Sequence, residues 1–165
     1  MRALVQRTTG KTSIQIGTEK PFKDHSFTGP GMVVLLAWTK DDESEEMLKN
    51  EDWVLSRVLG LRVFPDLEAR MNNSLGQYLE QTKSEGGILW VPQFTLAGKL
   101  ESGFRPSFSK ALDPNLARFR FSMFVNRIQE LSKGVKNIFG SFGADMELSF
   151  TNWGPVTLLI DSSDR

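Results

Sequence analysis

The sequence predicts an α/β domain in which a mixed sheet carries its helices on one side. Two observations predict it. Strand-like runs, some alternating and some continuously apolar, recur along the chain. The helical periodicities between them do not follow the strict strand–helix–strand alternation of a purely parallel fold. No repeat, low-complexity tract or linker divides residues 1–165, which read as a single domain.

In chain order, residues 2–7 and 12–16 read as two short strands of a hairpin around Thr9-Gly10. Gly29-Pro30-Gly31 is a turn, and Met32 to Trp38 (MVVLLAW) is a continuous apolar run, the signature of a buried central strand. Asp41-Asp42 offers a helix cap. Met47, Leu48, Val54, Leu55, Val58 and Leu59 then recur at helical spacing, with Glu45 and Glu46 in the favourable first turn. Leu61 to Phe64 reads as a strand ended by Pro65, and Ile88 to Leu96 as a strand interrupted by Pro92. Asp113-Pro114 is a cap followed by a first-turn proline, opening a helix whose apolar face runs from Leu116 to Leu131. Met146, Leu148 and Phe150 alternate with polar residues as in a half-buried strand. Val156, Leu158 and Ile160 begin another, and Gly154-Pro155 between them marks a turn or strand mouth.

Composition excludes several function classes. With no cysteine there is no disulfide, thiolate metal site or cysteine nucleophile, and a reducing cytoplasm is the expected setting. Twenty basic residues balance twenty acidic ones, so nonspecific coating of nucleic acid, which needs a large cationic surface, is not expected. Grip on a nucleic-acid end by stacking and backbone amides needs little net charge and stays open. The start MRALVQRTTG lacks an apolar signal core, and no run approaches the ~18 apolar residues of a membrane span.

Conventional catalytic groups are scarce. One histidine, His25, sits in a polar stretch and reads as a surface residue; with a single histidine, neither a serine triad nor a zinc site is expected. Gln93 and Thr95 flank Phe94 in VPQFTL, an amide and a hydroxyl at alternate positions, where an edge strand with solvated polar residues is the plain alternative. Gly103 to Phe108 (GFRPSF) combines a cation with two aromatics, which suits base stacking beside a phosphate as well as a packed loop. Arg105, Arg118, Arg120, Arg127 and Lys110 are candidates for a basic strip beside it, against the commoner reading of solvated helix faces.

Together these stretches resemble the D-aminoacyl-tRNA (D-tyrosyl-tRNA) deacylases nearly end to end. MRALVQR is similar to that family's MRAVVQR start, GMVVLLAWTKDD to GLLVLLGVTHDD, LRVFPDLEARMN to LRIFEDEEGKMN, and SGFRPSF to KGxRPSF. FGADMELSFTNWGPVTLLID is similar to FGADMxVxLxNDGPVTLxLD.

The resemblance implies a homodimer with a three-layer β/β/α fold and mixed sheets, needing no cofactor or metal. It would hydrolyse the ester joining a misattached D-amino acid to the 3′-terminal adenosine of tRNA. The family's cis Gly-Pro turns its carbonyls to the partner subunit's pocket and excludes L-amino acids; the matching residues are Asn152, Gly154, Pro155 and Thr157, and the arginine that braces the loop matches Arg7. The SQxTL motif lining the adenosine pocket matches Gln93, Phe94, Thr95 and Leu96, with Pro92 in place of serine; Met146, and Phe108 of the aromatic loop, are expected to bind substrate. Backbone N–H groups of Phe94 and Thr95 would stabilise the oxyanion, with the substrate's 2′-hydroxyl assisting water, and Thr95 would position rather than attack. A sister group also carries PQ and has a trans Gly-Pro that admits Gly or L-Ala mischarged on tRNA. The residues flanking the bond match the cis group, so cis is expected here. The alternatives are that sister specificity and a catalytically inactive, dimeric tRNA-end-binding protein.

Overall fold

A computed structural model of the chain describes residues 1–17, 23–42, 46–100, 103–132 and 134–165. Glu45 of the expected first helical turn and Ser102 of SGFRPSF lie outside them. The elements are β1 (Arg2–Ile16), β2 (Lys23–Thr28), β3 (Gly31–Ala37), α1 (Met47–Leu59), the two-stranded β4 (Phe64–Pro65) and β5 (Met71–Asn73), α2 (Leu75–Thr82), β6 (Gly87–Pro92), α3 (Pro114–Leu131), β7 (Lys136–Phe139) and β8 (Met146–Asp161).

The main sheet is mixed. β3 pairs parallel with β6 and β6 with β7, whereas β1 pairs antiparallel with β2, β3 and β8. The apolar run at Met32 is a central strand as expected, flanked by β1 and β6. Being buried on both faces, it shows no alternation.

One face of β3 and β6, with Met32, Val34, Leu36, Ile88 and Trp90, packs on Val54, Leu55 and Val58 of α1 and on Phe121, Phe124 and Ile128 of α3. Val33, Leu89 and Val91 point the other way. There they meet Ile14 of β1, Phe27 of β2, Ile138 of β7 and, from β8, Met146, Leu148 and Phe150.

The hairpin expected at Thr9-Gly10 does not form. β1 is one strand of 15 residues, and its first half pairs with β3 while its second half pairs with β2. Gly10, at φ +70°, sits where the pairing changes partner. The Thr12 hydroxyl donates to that of Thr8 at 3.1 Å, both fully buried, so the bend satisfies its own polar groups.

The Asp113 carboxylate accepts from the N–H groups of Asn115 and Leu116 and caps α3 as expected. Asp42 does not cap α1; it is buried in a 3-10 turn, where it accepts from the Met1 amino group at 2.7 Å and from Thr39 N–H. The strand expected over Leu61 to Phe64 shrinks to Phe64–Pro65.

The expected basic strip is dismantled by packing. Arg120 Nε donates to the buried Glu51 carboxylate at 2.9 Å, Arg127 pairs with Glu51 and Asp52, and Trp38 Nε1 donates to Glu51 at 2.8 Å. These ion pairs tie α3 to α1 rather than facing a ligand. Glu51→Gln keeps an oxygen for Trp38 but removes the charge opposite Arg120. It is expected to cost about 2 kcal/mol and to lower Tm by about 4–8 °C, measurable by calorimetry.

Candidate active site

The region around Pro92 is built differently from the interrupted strand expected there. Gln93 N–H donates to Leu36 O at 2.7 Å, so by alternation the nitrogen of Pro92 faces β7. β7 ends at Phe139, one residue after the last paired position, and Gly140 N–H closes the ladder on Trp90 O. Proline therefore terminates β6 at a place where its missing N–H interrupts nothing further along. It is buried, and β6 is interior, not an edge.

After Pro92 the chain turns into a 3-10 helix, Phe94–Ala97. Gln93 and Thr95 come side by side through this turn rather than through strand alternation, with Gln93 Nε2 donating to the Thr95 hydroxyl. Leu96 is held by its carbonyl, which accepts from Arg2 Nη1 at 2.9 Å; Arg2 Nε in turn donates to Asp161 at 2.8 Å. The Asp161 carboxyl, which desolvation alone would push up, is held below its ordinary value by hydrogen bonds from Ser163 and Arg2.

Beside this turn lies a cavity of about 610 Å³. Its walls include Trp38, Pro92, Gln93, Phe94, Phe108 and Phe142, with Lys40, Asp113 and Arg118 as its charged residues. Phe94 is 53% exposed and meets Phe108 edge-on, with ring centroids 5.0 Å apart. The bridge between Lys99 and Ser107 folds residues 103–108 back to make that contact. Trp38 is fixed from behind by Glu51 and by edge-on contacts with Phe121 and Phe124. The walls are thus aromatic and anchored, a surface on which a planar ring stacks.

Met146 is not on this wall. Its side chain packs in the second core, and its sulfur and the Pro92 ring both lie against Gly140. It supports the cavity from beneath Pro92. His25 pairs with Ile14 on the strand β2 and borders a separate groove with Lys136, away from the cavity.

The closing segment is one strand, not two. β8 runs through Gly154-Pro155, but its register against β1 jumps from Thr8↔Asn152 to Gln6↔Thr157. Residues 153–156 therefore bulge outward opposite Arg7 alone. Asn152 clamps the base of the bulge: its Oδ1 accepts from Val156 N–H at 2.9 Å and its Nδ2 donates to the Thr157 hydroxyl at 3.1 Å. Gly154 has φ +131°, and the Gly154-Pro155 bond is cis, the state expected from its flanking residues. Both residues are exposed.

Arg7 lies beneath this bulge, only 7% exposed. Its Nε donates to Trp153 O at 2.9 Å, its Nη1 donates to Val63 O, and its guanidinium stacks 4.3 Å from the centre of the Trp153 ring. Trp153 stands where the resembling family has aspartate, and its ring joins an aromatic cluster with Phe64 and Tyr78. Burial lowers the Arg7 pKa, opposed by Tyr78.

The residues singled out in the sequence thus fall into two groups. Gln93, Phe94 and Phe108 line the cavity, with Thr95 and Leu96 in the turn beside it. Arg7, Asn152, Gly154, Pro155 and Thr157 build the β8 bulge. Lys40 and Trp38 were not singled out as site residues, because only the parallel pairing of β3 with β6 brings the end of one strand beside Pro92.

An α/β domain on a mixed sheet, with an aromatic cavity at the end of its parallel strands and an exposed Gly-Pro bulge, is the class these observations define. The sequence model of the family described as D-Tyr-tRNA(Tyr) deacylase matches residues 4–161. The chain belongs to that family.

Among its relatives, the D-aminoacyl-tRNA deacylase of Syntrophomonas wolfei is 40% identical over 162 residues, covering 98% of this chain and 97% of that protein. The D-aminoacyl-tRNA deacylase of Escherichia coli O7:K1 is 38% identical over 157 residues, covering 95% and 97%. Among solved structures, the c-Myc DNA Unwinding Element Binding Protein superimposes with a TM-score of 0.80 at 29% identity, covering 98% of each chain. A probable eukaryotic D-amino acid tRNA deacylase shares the fold, with a TM-score of 0.68 at 19% identity.

Proposed function

We propose that this protein hydrolyses the ester between a D-amino acid and the 3′-terminal adenosine of tRNA, releasing free amino acid and tRNA as a proofreading step in translation. The adenosine stacks in the cavity between Phe94 and Phe108, and the ester carbonyl lies over the turn headed by Phe94. Water adds to the carbonyl carbon with help from the substrate's 2′-hydroxyl. The carbonyl oxygen, as it becomes an oxyanion, is met by the N–H groups of Phe94 and Thr95. As donors at the start of a helical turn, these have no acceptor inside it. The C–O bond to the ribose then breaks and the 3′-oxygen takes the proton.

The observation that carries this reading is the absence of a nucleophile–base pair among the residues lining the cavity. The Thr95 hydroxyl faces the Gln93 amide nitrogen, which removes no proton. Asp113 is the lining's one carboxylate, and its Oδ1 accepts the two N–H groups that cap α3. A site of this kind works by orientation and electrostatics on an ester that is already activated. Thr95→Ala is therefore expected to keep deacylation of D-Tyr-tRNA within about tenfold of the parent, measured by single-turnover release of the amino acid. Complete loss of deacylation with tRNA binding intact makes Thr95 the nucleophile instead.

The protein acts as a homodimer in this reading, with the exposed Gly154-Pro155 bulge of one subunit reaching the other's cavity and excluding the side chain of an L-amino acid. β8 pairs with β1 alone and carries Leu158 and Leu159, 41% and 57% exposed, which supports a second copy covering that strand. Light scattering is expected to give twice the 18.6 kDa chain mass.

A further inference from the structure

We propose that Lys40 and Arg118 form a phosphate subsite at the mouth of the cavity, holding the phosphodiester on the 5′ side of the terminal adenosine. The inference rests on the reading of the cavity as the aminoacyl-adenosine site and adds residues to it. Both side chains are exposed and both line the cavity. Among the described residues neither has a carboxylate partner. Their neighbours are committed: Arg120 and Arg127 to Glu51 and Asp52, Arg2 to Asp161, and Arg7 to two carbonyls.

Arg118 is also pre-set. Its Nη1 donates to Phe142 O at 3.1 Å and its guanidinium lies 5.1 Å from the centre of the Phe142 ring. A guanidinium offers five N–H donors in a rigid plane, so one bond to a carbonyl leaves a fork directed elsewhere. Lys40 arrives from another element, just beyond β3. Its backbone N–H donates to Lys110 O at 3.0 Å, and Thr39 bridges to Ala111, another lining residue. Two cations from separate elements thus meet one aromatic cavity whose only carboxylate is occupied as a helix cap.

The chemistry of the substrate selects the anion. An aminoacyl ester has no free α-carboxylate, and its amino group is cationic. The negative charge adjoining the terminal nucleoside is its 5′ phosphodiester. An aromatic pocket with a cationic rim suits a nucleoside continued by a phosphate.

The test is calorimetric titration at low salt with adenosine and adenosine 5′-monophosphate, on the parent protein and on Lys40→Gln and Arg118→Gln. The nucleotide is expected to bind the parent about tenfold more tightly than the nucleoside. In each variant that advantage is expected to shrink to about threefold or less, with adenosine itself serving as the control for an intact pocket. Equal binding of the two ligands by the parent overturns the subsite and leaves the adenosine reading standing. Variants that weaken both ligands in the same proportion also overturn it, because the residues then shape the pocket without reading phosphate. If the parent binds neither ligand, the subsite and the adenosine reading fall together.

Discussion

Gly154→Ala is expected to lower D-aminoacyl-tRNA deacylation about 10²-fold in a protein that still folds. Gly154 has φ +131°, a conformation that residues with a Cβ rarely adopt. A Cβ there would lie 2.7 Å from Val156 Cγ2, 2.9 Å from Arg7 Nη2 and 3.0 Å from Val156 N. Two of those neighbours are fixed. Val156 N–H is held by Asn152, and Arg7 is held by two carbonyls and the Trp153 ring. The added methyl must move the bulge or the arginine under it. Because the bulge is exposed and hangs from an intact strand pairing, the displacement falls on what the bulge touches and not on the core. Rates on D-Tyr-tRNA, with circular dichroism as the folding control, measure this. Near-parental activity would mean that the bulge takes no part in the reaction.

Arg7→Ala is expected to damage stability as well as activity. It leaves the carbonyls of Val63 and Trp153 without their donor and strips the Trp153 ring of its cation. Two unsatisfied buried acceptors and one cation–π contact sum to about 3–5 kcal/mol, or a fall in Tm of about 6–20 °C. Desolvation pushes the Arg7 pKa down, with Tyr78 raising it, so the buried cation is itself a cost that these contacts offset. Arg7→Lys keeps the charge but not the fork that reaches both carbonyls, and should recover less than half of the lost stability. Thermal unfolding of both variants reads this directly. If Arg7→Ala unfolds at the parental temperature, the bulge is held by Asn152 and by strand pairing alone.

Much of the fold was legible because single elements announce themselves. The uninterrupted apolar run at Met32, the Asp113-Pro114 helix start and the alternation from Met146 to Phe150 each need only local pattern, and all three appear where expected. α2 was missed although Ser74 and Gln77 form a capping box, a local signal that was present. β2 and β7 were missed for a different reason. Their sequences, KDHSFT and KNIF, carry little periodicity, and they are strands because β1 and β6 offer them an edge.

The misreadings at Gly10, Pro92 and Gly154-Pro155 share one cause. Glycine and proline mark departures from regular geometry, but whether the departure becomes a turn, a strand end or a bulge is set by the neighbouring strand. Of the candidate site, motif residues such as Gln93, Phe94 and Asn152 could be named from sequence. The cationic rim could not, because Lys40 and Arg118 are brought together only by the packing of α3 beside the end of β3.

The central claim is that this chain removes D-amino acids from tRNA. The most direct measurement compares single-turnover deacylation of D-Tyr-, L-Tyr-, Gly- and L-Ala-tRNA by the purified protein against spontaneous hydrolysis in buffer. The account predicts acceleration on D-Tyr-tRNA, with L-Tyr- and L-Ala-tRNA left at the spontaneous rate. L-Ala-tRNA cleaved faster than D-Tyr-tRNA, or no acceleration on any of the four, would contradict it.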